Sequence, residues 1–241
     1  MTKSDNAANK TGVPPAFATR NAADPAFWDE RFEKGFMPWD LGGVPADFEA
    51  FASAMAPCPT LVPGCGNGWE AGWLHARGWP VTAIDFSPEA VASARRALGP
   101  AGAVVHQADF FAFAPEPACQ WIYERAFLCA LPPAMRADYA ARVAQLLPPG
   151  GLLAGYFFLD EMRGGPPFAI PEAELRALLA PAFELVEARA ATGSLPVFAG
   201  REQWQVWRRR PRVPALSFNP ELHRQAPGFP QPRTRALCLS W

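Results

Sequence analysis

A chain of 241 residues, half apolar and nearly neutral with 22 basic against 23 acidic side chains, can bury one sizeable α/β core plus extensions. It carries no electrostatic bias toward nucleic acid or anionic membrane. Its cysteines, Cys58, Cys65, Cys119, Cys129 and Cys238, are odd in number and form no C-x-x-C pair, so neither a disulfide framework nor a metal site is expected, and a reducing cytoplasm is the expected home. The N-terminus lacks a signal peptide's apolar core, and no apolar run reaches the roughly 20 residues that span a bilayer.

In chain order, residues 1–24 read as a flexible polar lead. Asp24-Pro25 then opens a helix-like segment, AFWDERFEKG, with Asp24 as N-cap and Pro25 at the first helical position. From Pro57 onward strands alternate with helices. Strands are expected at 59–63, 80–85, 102–106, 120–124, 151–158, 183–190 and 202–209, and helices at 68–77, 87–97, 134–147 and 171–180. Ser87-Pro88-Glu89 is a strong helix start, and Pro149-Gly150-Gly151 a stop before the run LLAGYFFL. Repeated β-α units imply a mainly parallel sheet covered by helices on both faces. The last two strands have no helix between them, which predicts a hairpin bringing the final strand in antiparallel. Residues 211–241, with six prolines and four arginines against one glutamate, read as a disordered extension, or alternatively as a basic arm that binds a partner or covers a sheet edge.

In such a sheet, ligands bind beyond the carboxyl ends of the strands. The first strand runs into "TLVPGCGNGW". A dinucleotide fingerprint needs its third glycine at position 69, where this chain has Trp69. The spacing present, G-x-G-x-G over Gly64, Gly66 and Gly68, argues against a pyrophosphate cradle and for a loop that lets an uncharged part of a ligand approach the backbone. Asp85 ends the second strand, 21 positions beyond Gly64, where an acid commonly accepts hydrogen bonds from ribose hydroxyls. Asp109 and Phe110 follow the third strand, suited to an adenine amino group and ring. Arg125 and Phe127 follow the fourth. Each has a plainer alternative: the glycine loop as a tight turn, Asp85 and Asp109 as local caps, Arg125 as a surface ion-pair partner. Cys65 and Cys129 read as small packing residues, and Trp69, Trp73 and Trp79 as core. No histidine sits at a strand end, since His75 falls in a helix and His106 inside a strand.

These segments resemble class I S-adenosylmethionine-dependent methyltransferases, specifically the thiopurine S-methyltransferase-like family and its halide/thiol methyltransferase relatives. The resemblance runs from about Phe27 to Arg209, over FWDERFEKGFMPWDLG, VPGCGNGWEAGWLHARGWPVTAIDFSPEAV, ADFF, YERAFLCALPPAMRADYA and GGPPFAIPEAEL. It departs at Phe32, where a tryptophan is often found. The resemblance implies a Rossmann-like seven-stranded sheet over residues 57–210, preceded by a helical lid at 25–56. Trp28, Phe32 and Trp39 of that lid would close over S-adenosylmethionine. Gly64 and Gly66 would lie under its methionyl part, Asp85 at the ribose, Asp109 and Phe110 at the adenine, and Arg125 near cofactor and acceptor as the candidate catalytic residue. It further implies a small soft acceptor: a thiol, thiopurine, thiocyanate or halide, which needs little or no general base. A small-molecule O- or N-methyltransferase and a non-catalytic S-adenosylmethionine-binding protein are the alternatives. An NAD(P) oxidoreductase is disfavoured by Trp69, and a nucleic-acid N-methyltransferase by Tyr123-Glu124-Arg125, which stands where an Asn/Asp-Pro-Pro-aromatic motif would be expected. Oligomeric state is open, with a monomer compatible.

Overall fold

The computed structural model describes residues 15–211; residues 1–14 of the expected lead and 212–241 of the expected tail lie outside them. Seven strands form one sheet: β1 (Thr60–Pro63), β2 (Val81–Asp85), β3 (Val105–Gln107), β4 (Trp121–Glu124), β5 (Leu152–Phe158), β6 (Phe183–Ala190) and β7 (Glu202–Arg209). Their order is β3-β2-β1-β4-β5-β7-β6. The first five are parallel, and β7 enters antiparallel between β5 and β6, as the missing helix before it predicts.

Burial explains the composition of the strands. Every residue of β1 and β4 is buried, because helices cover both faces there, and the sequences TLVP and WIYE carry no polar alternation. Helices α2 (Ala46–Ser53), α3 (Trp69–Ala76) and α4 (Pro88–Leu98) pack on one face, around Phe48, Leu74, Val91, Trp121, Tyr123 and Trp204. Helices α5 (Arg136–Leu146) and α6 (Glu172–Leu179) cover the other, around Tyr139, Val143, Leu153, Phe157 and Leu175. Fully buried aromatics dominate both layers, and each such ring removes a large apolar area from water.

The N-terminal helix α1 (Pro25–Glu33) starts as its sequence dictates: Asp24 accepts a hydrogen bond from the Ala26 N–H at 3.0 Å and Pro25 occupies the first turn. Residues 15–24 are tied to it. Glu30 accepts from the Ala18 and Thr19 N–H groups and from the Thr19 hydroxyl, the last at 2.6 Å. In turn α1 is fastened to the core through Asp29, which accepts from Ser87 Oγ at 2.5 Å and from the Glu89 N–H at 3.3 Å, at the N-terminus of α4. The third strand departs from expectation. Residues 99–104 form a 3-10 turn after Gly99, and the strand occupies only Val105–Gln107 instead of 102–106. Gly102 there lies so close to α4 that a Cβ would sit 2.9 Å from the Arg95 Cα, which explains why a small apolar stretch coils against the helix instead of pairing.

Candidate active site

The strand order reverses between β1 and β4, so the loops after these two strands diverge and leave a crevice. A cavity of about 660 Å³ opens there, within the size range of small-ligand sites. All nine residues singled out in the sequence, Trp28, Phe32, Trp39, Gly64, Gly66, Asp85, Asp109, Phe110 and Arg125, line this one cavity.

The glycine loop is built around left-handed backbone. Gly64 and Gly66 have φ of +57° and +53°, conformations that cost an L-residue energy. A Cβ on Gly64 would also stand 2.5 Å from Phe127 Cδ2, so the loop after β1 and the turn after β4 touch through a glycine. Over Gly66 the nearest atom is Phe32 Cζ, 3.8 Å from where a Cβ would be. The loop's shape is held from β2: Asp85 accepts from the Gly66 N–H at 3.1 Å through one oxygen and from the Ser87 N–H at 3.0 Å through the other. Asp85 therefore caps locally, as its plainer reading has it, and also faces the cavity. Burial raises its pKa to about 6, with the two N–H donors opposing the rise.

Aromatic rings close the opposite side. Trp28 and Trp39 meet edge to face at 5.4 Å, Phe32 lies 6.4 Å from Trp39, and the Trp28 indole donates to the Ala22 carbonyl at 2.9 Å. Asp40, next to Trp39, fastens this cover to the glycine loop by accepting from Asn67 Nδ2 at 2.5 Å and Trp69 Nε1 at 2.9 Å. Trp69 is thus not the core residue expected; its half-exposed ring stands at the cavity wall because its indole N–H needs a polar partner. Trp79 is buried as expected. Asp109 holds its own turn, accepting from the Phe111 N–H at 2.9 Å, and Phe110 packs edge-on against Phe127 at 5.0 Å.

Arg125 is not a surface residue. Its side chain is 8% exposed, its Nε lies 4.0 Å from Glu70 Oε1, and its guanidinium carbon is 4.5 Å from the centre of the Tyr156 ring. The next residue, Ala126, has φ of 54°, a left-handed turn that ends β4 and lets Arg125 and Phe127 both reach the cavity. Among the described residues its Nη2 has no hydrogen-bond partner. Glu70, buried in the first turn of α3, accepts from the Tyr123 hydroxyl at 3.1 Å, and burial raises its pKa against the pull of Arg125. Sequence reasoning missed Asp40 and Glu70. A carboxylate in the otherwise apolar helix WEAGWLHA was the available signal for Glu70. Burial lifts the pKa of Cys65 and Cys129 well above the ordinary thiol value, consistent with packing residues.

Glycine backbone at one wall, a carboxylate at the end of β2, aromatic faces opposite and a buried cation at the end of β4 suit an adenosyl ligand with a charged amino-acid end. The sheet is that of class I S-adenosylmethionine-dependent methyltransferases. A solved methyltransferase from Burkholderia thailandensis, 1,6-didemethyltoxoflavin-N1-methyltransferase with bound S-adenosylhomocysteine, superposes with a TM-score of 0.62 at 19% identity, covering 82% of this chain and 94% of that one. More specifically, the model of the thiopurine S-methyltransferase family matches residues 23–216. A Vibrio cholerae thiopurine S-methyltransferase is 35% identical over 176 residues, 64% of this chain and 80% of the relative. A probable thiol methyltransferase 2 of Arabidopsis thaliana is 31% identical over 178 residues, 69% of this chain and 78% of the relative. The chain belongs to the thiopurine S-methyltransferase family and is an S-adenosylmethionine-dependent methyltransferase. No helix among the described residues is long and apolar enough to cross a membrane.

Proposed function

We propose that the protein methylates a small, soft, readily ionised acceptor, of the kind represented by thiols, thiopurines, thiocyanate or halides. The observation that carries this reading is a buried cation, Arg125, in a cavity that no histidine lines among the described residues. Of its carboxylates, Asp40 accepts with both oxygens, Glu70 lies buried against Arg125 and the Tyr123 hydroxyl, and Asp85 and Asp109 stand at the strand ends that this reading gives to the donor. A phenol or protonated amine acceptor needs a positioned group to take its proton, typically worth 10²–10⁴-fold in rate. A thiolate or halide does not.

S-adenosylmethionine, when bound, supplies a methyl group on a sulfonium cation. The residues present fit it. Gly64 and Gly66 bring bare backbone to the cavity wall for its methionyl part, Asp85 has lone pairs remaining for ribose hydroxyls, and Asp109 with Phe110 would take the adenine. Trp28, Phe32 and Trp39 present aromatic faces, which attract a desolvated cation by roughly 0.5 to 2 kcal/mol each, and they exclude water from the nucleophile. Arg125 draws an anionic acceptor into the same low-dielectric space, and alignment there can supply roughly 7 to 11 kcal/mol of the acceleration. The test is Arg125→Gln: turnover of thiocyanate and of an ionised aromatic thiol should fall at least tenfold, while donor affinity changes less. Equal loss for a neutral acceptor, or no loss, would overturn the reading.

The relatives' names agree with this acceptor class: one is a thiopurine S-methyltransferase and another a probable thiol methyltransferase.

A further inference from the structure

Strand β4 ends in a buried acid. Glu124 is 1% exposed at the close of the run WIYE, a place where an unpaired carboxylate is costly. Both of its oxygens are engaged instead. Oε1 accepts from the Phe127 N–H at 3.0 Å and from the Leu128 N–H at 2.9 Å. Oε2 accepts from the Tyr139 hydroxyl of α5 at 2.7 Å. The two backbone donors lie just past the last β4–β5 pair, Glu124 with Gly155, so the side chain takes over where the ladder stops. A Cβ on Gly155 would stand 1.9 Å from the Glu124 carbonyl oxygen, and only glycine lets β5 approach the strand end this closely.

These bonds enclose the turn through Arg125, Ala126 and Phe127. Ala126 has φ of 54°, which a non-glycine residue adopts only at a cost, and the two bonds to Oε1 span it. The residues on either side of Ala126, Arg125 and Phe127, both line the cavity. The Phe127 ring rests against Gly64 of the glycine loop and meets Phe110 edge to face at 5.0 Å. Tyr139 lies 6.2 Å from the same ring, so Oε2 is held from beside the group being placed. We propose that Glu124 is a positioning residue: its carboxylate sets the turn that presents Arg125 to the acceptor and Phe127 to the donor. The Arg125 half rests on the reading of that residue as the group that attracts the acceptor. The Phe127 half rests only on the donor lying against Gly64 and Phe110.

The experiment measures kcat and KM for thiocyanate, calorimetric donor Kd and thermal melting on the full chain. It compares wild type, Glu124→Leu, Glu124→Gln, Tyr139→Phe, Arg125→Gln and the double variant of Glu124→Leu with Arg125→Gln. Per folded molecule, Glu124→Leu should raise the thiocyanate KM about tenfold and weaken donor Kd about fivefold. Glu124→Gln keeps an oxygen that can accept from both N–H groups and should recover most of both losses. With Arg125 already replaced, Glu124→Leu should move the thiocyanate KM less than about twofold, because the two residues act through one path. Tyr139→Phe removes one donor of the three and should shift both constants in the same direction by about threefold. It carries the comparison if Glu124→Leu does not fold. Wild-type KM and Kd in the folded variants, with only the melting temperature lowered, would make Glu124 a local cap and overturn the proposal. An undiminished tenfold effect in the Arg125→Gln background overturns the path through Arg125. If Arg125→Gln alone turns over thiocyanate as wild type does, the acceptor reading falls and takes the Arg125 half with it, while donor Kd still decides the Phe127 half.

Discussion

Asp40 accepts a hydrogen bond from the Trp69 indole N–H at 2.9 Å, joining the segment that covers the cavity to the helix that begins beneath it. The other oxygen of the same carboxylate accepts from Asn67, whose own side-chain oxygen accepts from Ser93 Oγ on α4 at 2.6 Å. One acid therefore couples the aromatic cover, the glycine loop and α4. Asp40→Ala leaves two donors without their acceptor and frees the cover. Donor affinity should weaken about tenfold, in line with the roughly 1.5–3 kcal/mol attached to hydrogen bonds with a charged group. Calorimetric titration checks it, and wild-type affinity would show that the cover closes without this fastening.

Asp85 predicts a pH dependence as well as a mutational effect. Its pKa stands at about 6 because it is buried, and hydroxyl donors from a ribose would favour the ionised form. Proton release therefore accompanies binding, and affinity rises as pH rises through about 6 before levelling. The donor Kd should be about tenfold weaker at pH 5 than at pH 7.5. Asp85→Ala should weaken binding by about 1.5–3 kcal/mol and flatten that profile. A flat wild-type profile over this range would remove Asp85 from the ligand.

The legible part of the fold is the part set by local chemistry. Asp24-Pro25 and Ser87-Pro88 marked two helix starts because a side-chain cap and a proline act within a few residues, and both helices begin there. The strand ends were legible for a related reason: apolar runs stop where the backbone turns, and Gly64, Asp85 and Arg125 stand at those stops. What sequence could not supply was pairing across distance. Asp40 meets Trp69 and Asn67, Glu70 meets Tyr123 and Arg125, and Glu202 shares a chamber with Tyr156, each only because the sheet order brings separate elements together. Trp69 was misread for the same reason, since nothing local tells a core indole from one that bonds to a distant acid.

Truncation separates cover from core. The segment before Leu41 carries Trp28, Phe32, Trp39 and the buried Phe27, whose ring meets Trp28 and Arg31 of the same segment, whereas α2 sends Phe48, fully buried, against Trp73, Trp121 and Tyr123 of the core. Removing residues 1–40 should leave a cooperatively melting protein with donor binding sharply reduced. Removing residues 1–56 also deletes Phe48, and losing a buried phenylalanine typically costs about 3–5 kcal/mol. That shorter chain should not fold stably. Thermal denaturation followed by near-ultraviolet circular dichroism distinguishes the two, and normal donor binding by the first truncation would contradict the closing role of the aromatics.

The most direct measurement is a pH-resolved acceptor panel with the full chain, following S-adenosylhomocysteine formation from thiols, thiocyanate, iodide, catechols and amines. With Arg125 the buried cation and no histidine lining the cavity among the described residues, thiol turnover should climb with pH as the acceptor's own thiolate fraction climbs. Thiocyanate and iodide turnover should stay nearly constant over the same range, and catechols and amines should react slowest. Faster methylation of catechols or amines than of every thiol and anion tested would contradict the soft-acceptor reading.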